Sequence, residues 1–311
     1  LLFDNFYSNG VQTTRAVLAS LYGVLPKHDR VSVQGGEPHT SLIGLPDLAA
    51  AHGYEPSYFH NGSLSFRNKS AFFSDKRFGE VHGVKDMRTR YNLKDDGNSW
   101  GVFDEYLFSY HLEWLNSQEN PTFSVLFTVS THHPWVLPSD KVLFQFSDVE
   151  DTDYRRYLQT ISYVDHQIGE YVAGLQDVGL YNESLIVLLS DNGQPMGEKG
   201  NYILQSGLSD EHTHIPLLIL APGLLGESGR ISTIGSHIDL MPTIMDLMGW
   251  SGLNHGLGDS LLRELDPNRV IYTSNPFQQG FYSVLSNQSR QSFENGKSDE
   301  GEFFDLKSRY D

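Results

Sequence analysis

Cysteine is missing from all 311 residues. That excludes disulfides, thiolate metal ligands and a cysteine nucleophile together, and leaves the redox compartment open. Positive charge is scarce: 22 Lys and Arg stand against 39 Asp and Glu, a formal charge of −17. Nucleic acid is therefore not expected as a partner, because phosphate backbones are bound by clustered cations. Long apolar runs are lacking too. The longest, Ile215 to Leu225, is broken by Pro216, Pro222 and Gly223 and falls short of the ~18 residues that span a bilayer. No basic start leads into an apolar stretch, so no signal peptide is expected and any membrane anchor is expected outside these residues. Internal repeats and low-complexity segments are absent as well.

What is present describes a folded protein. Hydrophobic residues at 39% with charged residues at 20% exclude the composition of a disordered chain. The length allows one or two domains with a sizeable core. Short apolar runs at 123–129 (FSVLFTV), 184–189 (SLIVLL) and 215–220 (IPLLIL) predict strands buried on both faces, the parallel-sheet pattern. Between them, Tyr157, Ile161, Val164, Ile168 and Val172 recur at helical spacing within 154–175. Residues 13–21 and 104–115 read as helices, and 238–248 as a helix with Pro242 in its first turns. Alternation of strand and helix predicts an α/β fold, a three-layer α/β/α arrangement around a mostly parallel central sheet. From Val270 the pattern changes to short strands (IYTS, FYSVLS, EFFDL) with a polar turn, ENGKSDEG, at 294–301, which predicts a small C-terminal antiparallel element. The expected domains are 1–265 and 266–311.

Active sites in such sheets gather at the carboxyl ends of strands, and four segments carry groups suited to chemistry. Asp191-Asn192-Gly193 follows the second run; it offers two oxygen ligands for a hard divalent cation beside a flexible glycine, or simply an Asx turn. Thr128 to Trp135 (TVSTHHPW) follows the first; its histidines are metal ligands or phosphoryl donors on one reading, and on the other a polar loop with His133 stacked on Trp135. His212 and His214 precede the third run and, if extended, point to opposite sides. Thr13 and Thr14 open an apolar helix, where a hydroxyl serves as an N-cap or, with its pKa lowered by a metal, as a nucleophile.

Taken in order, these segments resemble the alkaline-phosphatase superfamily, in particular its sulfatase-like branch of lipoteichoic-acid synthases and phosphoglycerol transferases. NFYSNGVQTTRAVLASLYGVLP resembles the nucleophile segment and implies Thr13 as nucleophile, with Thr14 the weaker match. SDNGQPMGEKG is similar to the metal segment and implies Asp191 as a metal carboxylate, with Asn192 where this branch usually has His. TVSTHHPW implies His132 as a substrate-contacting and catalytic histidine, and EHTHIPLLILAPG implicates His214. SHIDLMPTIMDLMG and FFDLKSRYD resemble the family's tail. FHNGSLSFRNKSAFF resembles the substrate segment in its aromatic frame and Asn68; the acidic residue expected before Phe66 is replaced by Gly62 and Ser63, so Arg67 and Lys69 are expected to supply positive charge to a phosphate or anionic headgroup instead. The family's first strand, which ends in an acidic metal ligand, precedes the nucleophile. This chain begins after that point, so it is expected to be a fragment lacking that strand or to use another carboxylate.

The resemblance implies a metal-dependent phosphoglycerol transferase with a covalent phosphothreonine. Thr13, Asp191 and Asn192 would hold a divalent metal, Mn or Mg first and Zn or Ca as alternatives. His132, His214, Arg67 and Asn68 would contact substrate. Expected partners are an anionic phospholipid donor, a glycan or alcohol acceptor, and the membrane surface through an anchor outside the chain, on the extracytoplasmic face. The alternatives are a phosphodiesterase or sulfuric-ester-type hydrolase of the same superfamily, or a catalytically silent headgroup- or glycan-binding relative. A true sulfatase is disfavoured, because formylglycine derives from Cys or Ser in a segment this chain lacks around Thr13. Lys69, Lys76, Arg77, Lys85, Arg88 and Arg90 form the pronounced basic run, either a lipid-facing rim or a solvated loop. Sequons at Asn61, Asn68, Asn182 and Asn287 make glycosylation formally possible.

Overall fold

Each apolar run becomes a short strand, and polar or glycine-bearing segments close it. In the computed structural model, which describes residues 1–27, 31–94, 96–197, 200–277, 281–286, 289–293 and 302–305, the strands are β1 (Leu2–Phe3), β2 (Phe6–Tyr7), β3 (Glu55–His60), β4 (Glu80–His82), β5 (Thr122–Phe127), β6 (Ile186–Leu189), β7 (Leu217–Leu220), β8 (Arg230–Ile231), β9 (Gly235–Ser236), β10 (Ile271–Asn275), β11 (Phe281–Leu285), β12 (Ser289–Phe293) and β13 (Glu302–Asp305). The helices that matter for the site are α1 (Thr13–Tyr22), α2 (Asp104–Leu115), α3 (Thr152–Asp177), α4 (Asp210–Thr213) and α5 (Leu240–Met248). The chain divides into two compact units, residues 1–48 with 184–311, and residues 49–183.

The first unit holds a four-stranded sheet in the order β6-β7-β1-β8. β6 and β7 run antiparallel, with Ile186 opposite Leu220, and β1 is antiparallel to β7 and parallel to β8. The fold class is the α/β one expected, yet these two apolar runs pair in opposite directions. An apolar run shows that a strand is buried; it carries no record of its partner's direction. β7 alternates buried and half-buried residues, whereas β6, at the end of the order, is half-buried throughout. Tyr7, Ile234, Ile271 and Leu285 form an apolar cluster, and β10 to β13 make the expected C-terminal antiparallel sheet. Its third strand, SRQSF, was not foreseen, because its buried side chains are polar: Arg290 and Ser292 point inward and Gln291 outward. The predicted turn at 294–301, Asn287 and the 306–311 part of the tail motif lie outside the described residues.

The second unit is built on a parallel sheet in the order β4-β3-β5. Phe59, Met87, Val102 and Leu107 form its core, with Tyr91, Tyr106, Trp114 and Leu126 packed against them. α2 covers the residues predicted for it. α3 is capped by the Asp151 carboxylate, which accepts from Tyr154 N at 2.8 Å. Its predicted stripe is only half-buried and Ile161 is 41% exposed; the residues it buries are Thr160, Tyr163 and Leu175. The basic run does not form one exposed patch, since Lys69 and Lys76 are buried and Arg90 pairs with Glu113. Asn61 is wholly buried, and its amide donates to Val102 O and Asp104 Oδ1 at 2.7 Å each, which removes it as a glycosylation site.

Several histidines are core residues. Burial, with the Lys69 charge nearby, pushes the His60 imidazole down to about 4, and burial with His82 alongside pushes His111 down to about 3. Above pH 6.5 such a ring is neutral folded and unfolded. Between pH 6.5 and about 3 the unfolded chain binds a proton that folded His111 refuses, so stability is lost as pH falls through that window. The buried carboxyls of Asp104 and Asp239, pushed up by desolvation, act in the opposite sense, so a difference between variants is the clean test. In urea denaturation, His111→Phe should reduce the loss of stability on acidification from pH 6 to 4.5 by about 1.4 kcal/mol per pH unit; an unchanged slope would contradict the assignment.

Candidate active site

α1 begins without help from its own side chains. Gln12, the N-cap, has an extended backbone and makes no side-chain cap bond, so Thr13, the first helical residue, is not the N-cap and its hydroxyl is available elsewhere. It donates to Asp191 Oδ2 at 2.5 Å across 178 residues of sequence. Apolar residues from Ala16 to Tyr22 bury the rest of the helix, and Gly23 ends it at φ 62, where a Cβ would lie 2.8 Å from Gly256 Cα. The start of α1 is therefore fixed, with the positive end of its dipole and its opening N–H groups beside Thr13. Thr14 is 6% exposed, whereas Thr13 is half-buried.

Asp191 stands just beyond the carboxyl end of β6. Its Oδ1 accepts from Asn192 N at 2.9 Å while Oδ2 takes the Thr13 hydroxyl. The turn reading and the functional reading thus use different oxygens of one carboxylate. Ser190 Oγ donates to Asn192 O at 2.7 Å, and the Asn192 amide donates to Gly193 O at 2.8 Å. Gly193 is required for closeness rather than flexibility: a Cβ there would sit 2.2 Å from the Glu211 carbonyl oxygen, and its N–H donates to His212 O at 2.9 Å. α4 is thereby pinned to the loop that carries Asp191.

His212 and His214 separate because 210–213 is a helical turn rather than an extended segment. His212 is fully buried, bonded to Ser209 Oγ through Nδ1 at 2.8 Å, and burial lowers its pKa. His214 Nε2 donates to Asp4 O at 2.8 Å, and its ring lies 5.1 Å from that of Tyr7. Buried Arg290 of β12 donates to Asp210 Oδ1 at 2.9 Å and Thr213 Oγ1 at 2.8 Å, holding the turn from behind.

The Thr13 hydroxyl, the Asp191 carboxylate and the Asn192 side-chain oxygen are donors that hard divalent cations take. In chemistry they fit such a cation. In number they make a partial shell, since no three His, Cys, Asp or Glu side chains gather to hold a metal among the described residues.

The remaining expected site residues belong to the second unit. His132 is exposed, with Nδ1 donating to His133 O at 2.9 Å and its ring 3.9 Å from that of Trp100. Trp100 Nε1 donates to His133 O at 2.7 Å, and Phe66 stands edge-on to Trp100 at 5.6 Å. Arg67 and Asn68 are exposed on a tight turn with φ 56 and 55, and the Arg67 guanidinium lies 5.8 Å from the Phe66 ring. Phe66 and Trp100 therefore link Arg67 to His132. Sequence reasoning overlooked Trp100; a large aromatic followed by glycine in a polar loop was its available signal. It also placed Lys69 in a basic run, whereas the residue is buried with Nζ 5.0 Å from the Phe66 ring. His133 meets Trp135, as the loop reading expected, but edge-on at 5.0 Å and 86° instead of stacked.

A family model described as Sulfatase matches residues 1–250. The chain belongs to the sulfatase family. Within the alkaline-phosphatase superfamily it falls on the sulfatase-like branch of the lipoteichoic acid synthases. It is 25% identical to lipoteichoic acid synthase 1 of Bacillus subtilis over 300 residues, 92% of this chain and 45% of that one. It is 27% identical to the lipoteichoic acid synthase of Staphylococcus aureus over 268 residues, 84% of this chain and 40% of the other. The chain thus spans less than half the length of these curated relatives. Among solved structures, the lipoteichoic acid synthase LtaP of Listeria monocytogenes superposes with a TM-score of 0.82 at 21% identity, covering 99% of this chain and 78% of that one. Among the described residues no helix is long and apolar enough to cross a membrane.

The tightness around Gly193 is directly testable. Gly193→Ala should destabilise the protein by about 2 kcal/mol or more, since a backbone carbonyl must move to admit the methyl group; a thermal melt unchanged from wild type would show that the turn has room.

Proposed function

We propose that this sulfatase-family chain is the catalytic part of a metal-dependent phosphoglycerol transferase that works through a covalent phosphothreonine at Thr13. The observation that carries the reading is the 2.5 Å hydrogen bond from Thr13 Oγ1 to Asp191 Oδ2 at the start of α1. A threonine hydroxyl is a poor nucleophile until its proton has somewhere to go. Asp191 is placed to take it, and the opening amides of α1 favour the negative charge of a phosphoryl group beside the oxygen. The balance is then simple. Thr13 Oγ forms a bond to phosphorus, the bond from phosphorus to the lipid alcohol breaks, and that alcohol leaves with a proton. A second alcohol attacks the phosphothreonine, and Thr13 regains its proton as its bond to phosphorus breaks.

Thr13, Asp191 and Asn192 would hold a divalent cation, Mn or Mg before Zn or Ca. Bound there, such an ion supplies Lewis-acid stabilisation of phosphoryl charge and a lower pKa for a coordinated hydroxyl. His214 and His132 are assigned to phosphoryl oxygens or the departing alkoxide, and Arg67 and Asn68 to the headgroup; the motif resemblance and the Phe66–Trp100 link between Arg67 and His132 support these roles. The donor is an anionic phospholipid and the acceptor a glycan or alcohol, at the extracytoplasmic face of a membrane, with residues 1–265 as the catalytic domain and 266–311 packed on it. The names of the relatives support this reading, and threonine at the nucleophile position supports phosphoryl over sulfuryl chemistry, because Thr cannot be oxidised to the aldehyde of formylglycine.

Turnover of a chromogenic phosphodiester should require added Mn or Mg and should fall at least a hundredfold in Thr13→Ala. The cation should raise the melting temperature of wild type more than that of Asp191→Ala. Full activity in Thr13→Ala would remove the nucleophile assignment, and equal melting shifts would remove the cation site.

A further inference from the structure

One buried histidine stands between the two segments that meet at Thr13 and Asp191, and the proposed chemistry leaves it unused. His237 is 0% exposed. Its Nε2 lies 3.0 Å from the carbonyl oxygen of Ser190, the residue before Asp191. A carbonyl oxygen only accepts, so Nε2 carries the proton. Nδ1 is then the lone-pair nitrogen, and the backbone N–H of Asn9, on the segment leading into α1, donates to it at 3.4 Å. Asn9 is itself held, with Oδ1 accepting from Ile238 N at 3.1 Å and Nδ2 donating to Tyr272 O at 2.6 Å. The Phe6 ring stands edge-on to the imidazole at 6.0 Å. The ring is thus fixed in position and in tautomer by groups that are fixed themselves.

We infer that His237 is a positioning residue, a buried spacer that joins Ser190 to Asn9 through opposite edges of its ring and so sets the distance between the Thr13 hydroxyl and the Asp191 carboxylate. Its ring hydrogen-bonds to Ser190 O and Asn9 N, and it exchanges no proton in the reaction. Its effect is geometric: of the natural side chains it offers a rigid plane with a donor on one edge and an acceptor on the other. The inference rests on the roles proposed for Thr13 and Asp191, so its test includes a measurement that needs no turnover.

Three substitutions separate the contacts. His237→Gln keeps an N–H that reaches Ser190 O, His237→Asn keeps only an acceptor for Asn9, and His237→Leu keeps neither. With the chromogenic phosphodiester and added Mn, His237→Leu and His237→Asn should lose tenfold or more in kcat with KM changed less than about threefold, because a small misplacement of the attacking oxygen acts on the chemical step. His237→Gln should recover most of that loss with an unaltered pH profile. A folded His237→Leu with wild-type kcat, or Gln and Asn variants equally impaired, would overturn the inference. If His237→Leu does not fold, the Gln and Asn pair decides. Independently of activity, ¹⁵N spectra of the labelled wild-type protein should show His237 protonated at Nε2 and bare at Nδ1, and the Thr13 hydroxyl proton should stay protected in His237→Gln and be lost in His237→Asn. The opposite tautomer, or equal protection in both variants, would refute the spacer role even in a preparation that turns nothing over; absence of turnover in wild type would instead count against the proposed function.

Discussion

The site depends on one hydrogen bond between residues 178 positions apart, from the Thr13 hydroxyl to the Asp191 carboxylate. Neither segment would make it alone. Thr13 is aimed because α1 starts at Gln12 without a side-chain cap and is buried along most of its length. Asp191 is aimed because β6 delivers it to the loop and its second oxygen grips the next backbone N–H. The rest of the first unit keeps these two ends in register. Gly193 lets α4 approach to the limit of contact, Arg290 braces α4 from the last sheet, and His237 lies between Ser190 and Asn9. Such a bond to a carboxylate contributes about 1.5–3 kcal/mol as a stabiliser. Its importance lies in which atoms it places together.

The second unit is organised differently. Its sheet is parallel and its core aromatic, and its functional candidates are surface groups. The aromatic pair Phe66 and Trp100 sets Arg67 and His132 in one neighbourhood. The candidates of the first unit are thus gathered by a buried frame around Thr13 and Asp191, and those of the second by one exposed aromatic pair.

Much of this could be read from the residues, and what could not has physical reasons. The runs FSVLFTV, SLIVLL and IPLLIL were legible as strands because continuous apolar residues have nowhere else to go, and 104–115 was legible as a helix. Pairing direction was not legible, since it depends on partners distant in sequence; β6 and β7 proved antiparallel. β12 escaped because Arg290 and Ser292 look like surface residues until Asp210 and Thr213 are seen to receive the guanidinium. The Thr13 and Asp191 pair was within reach because both lie in motifs with chemically distinctive residues. His237 lay in plain view within SHIDLMPT, but a histidine that serves as a spacer has no local signature.

The first unit is discontinuous, assembled from residues 1–48 and 184–311, whereas residues 49–183 form an uninterrupted unit. α1 with its threonine precedes the whole inserted unit in sequence, and Asp191, His237 and Arg290 all follow it. The surroundings of Thr13 can therefore close only after the inserted unit has been made, so its hydrogen bond to Asp191 is a product of the first unit's assembly and not of local folding.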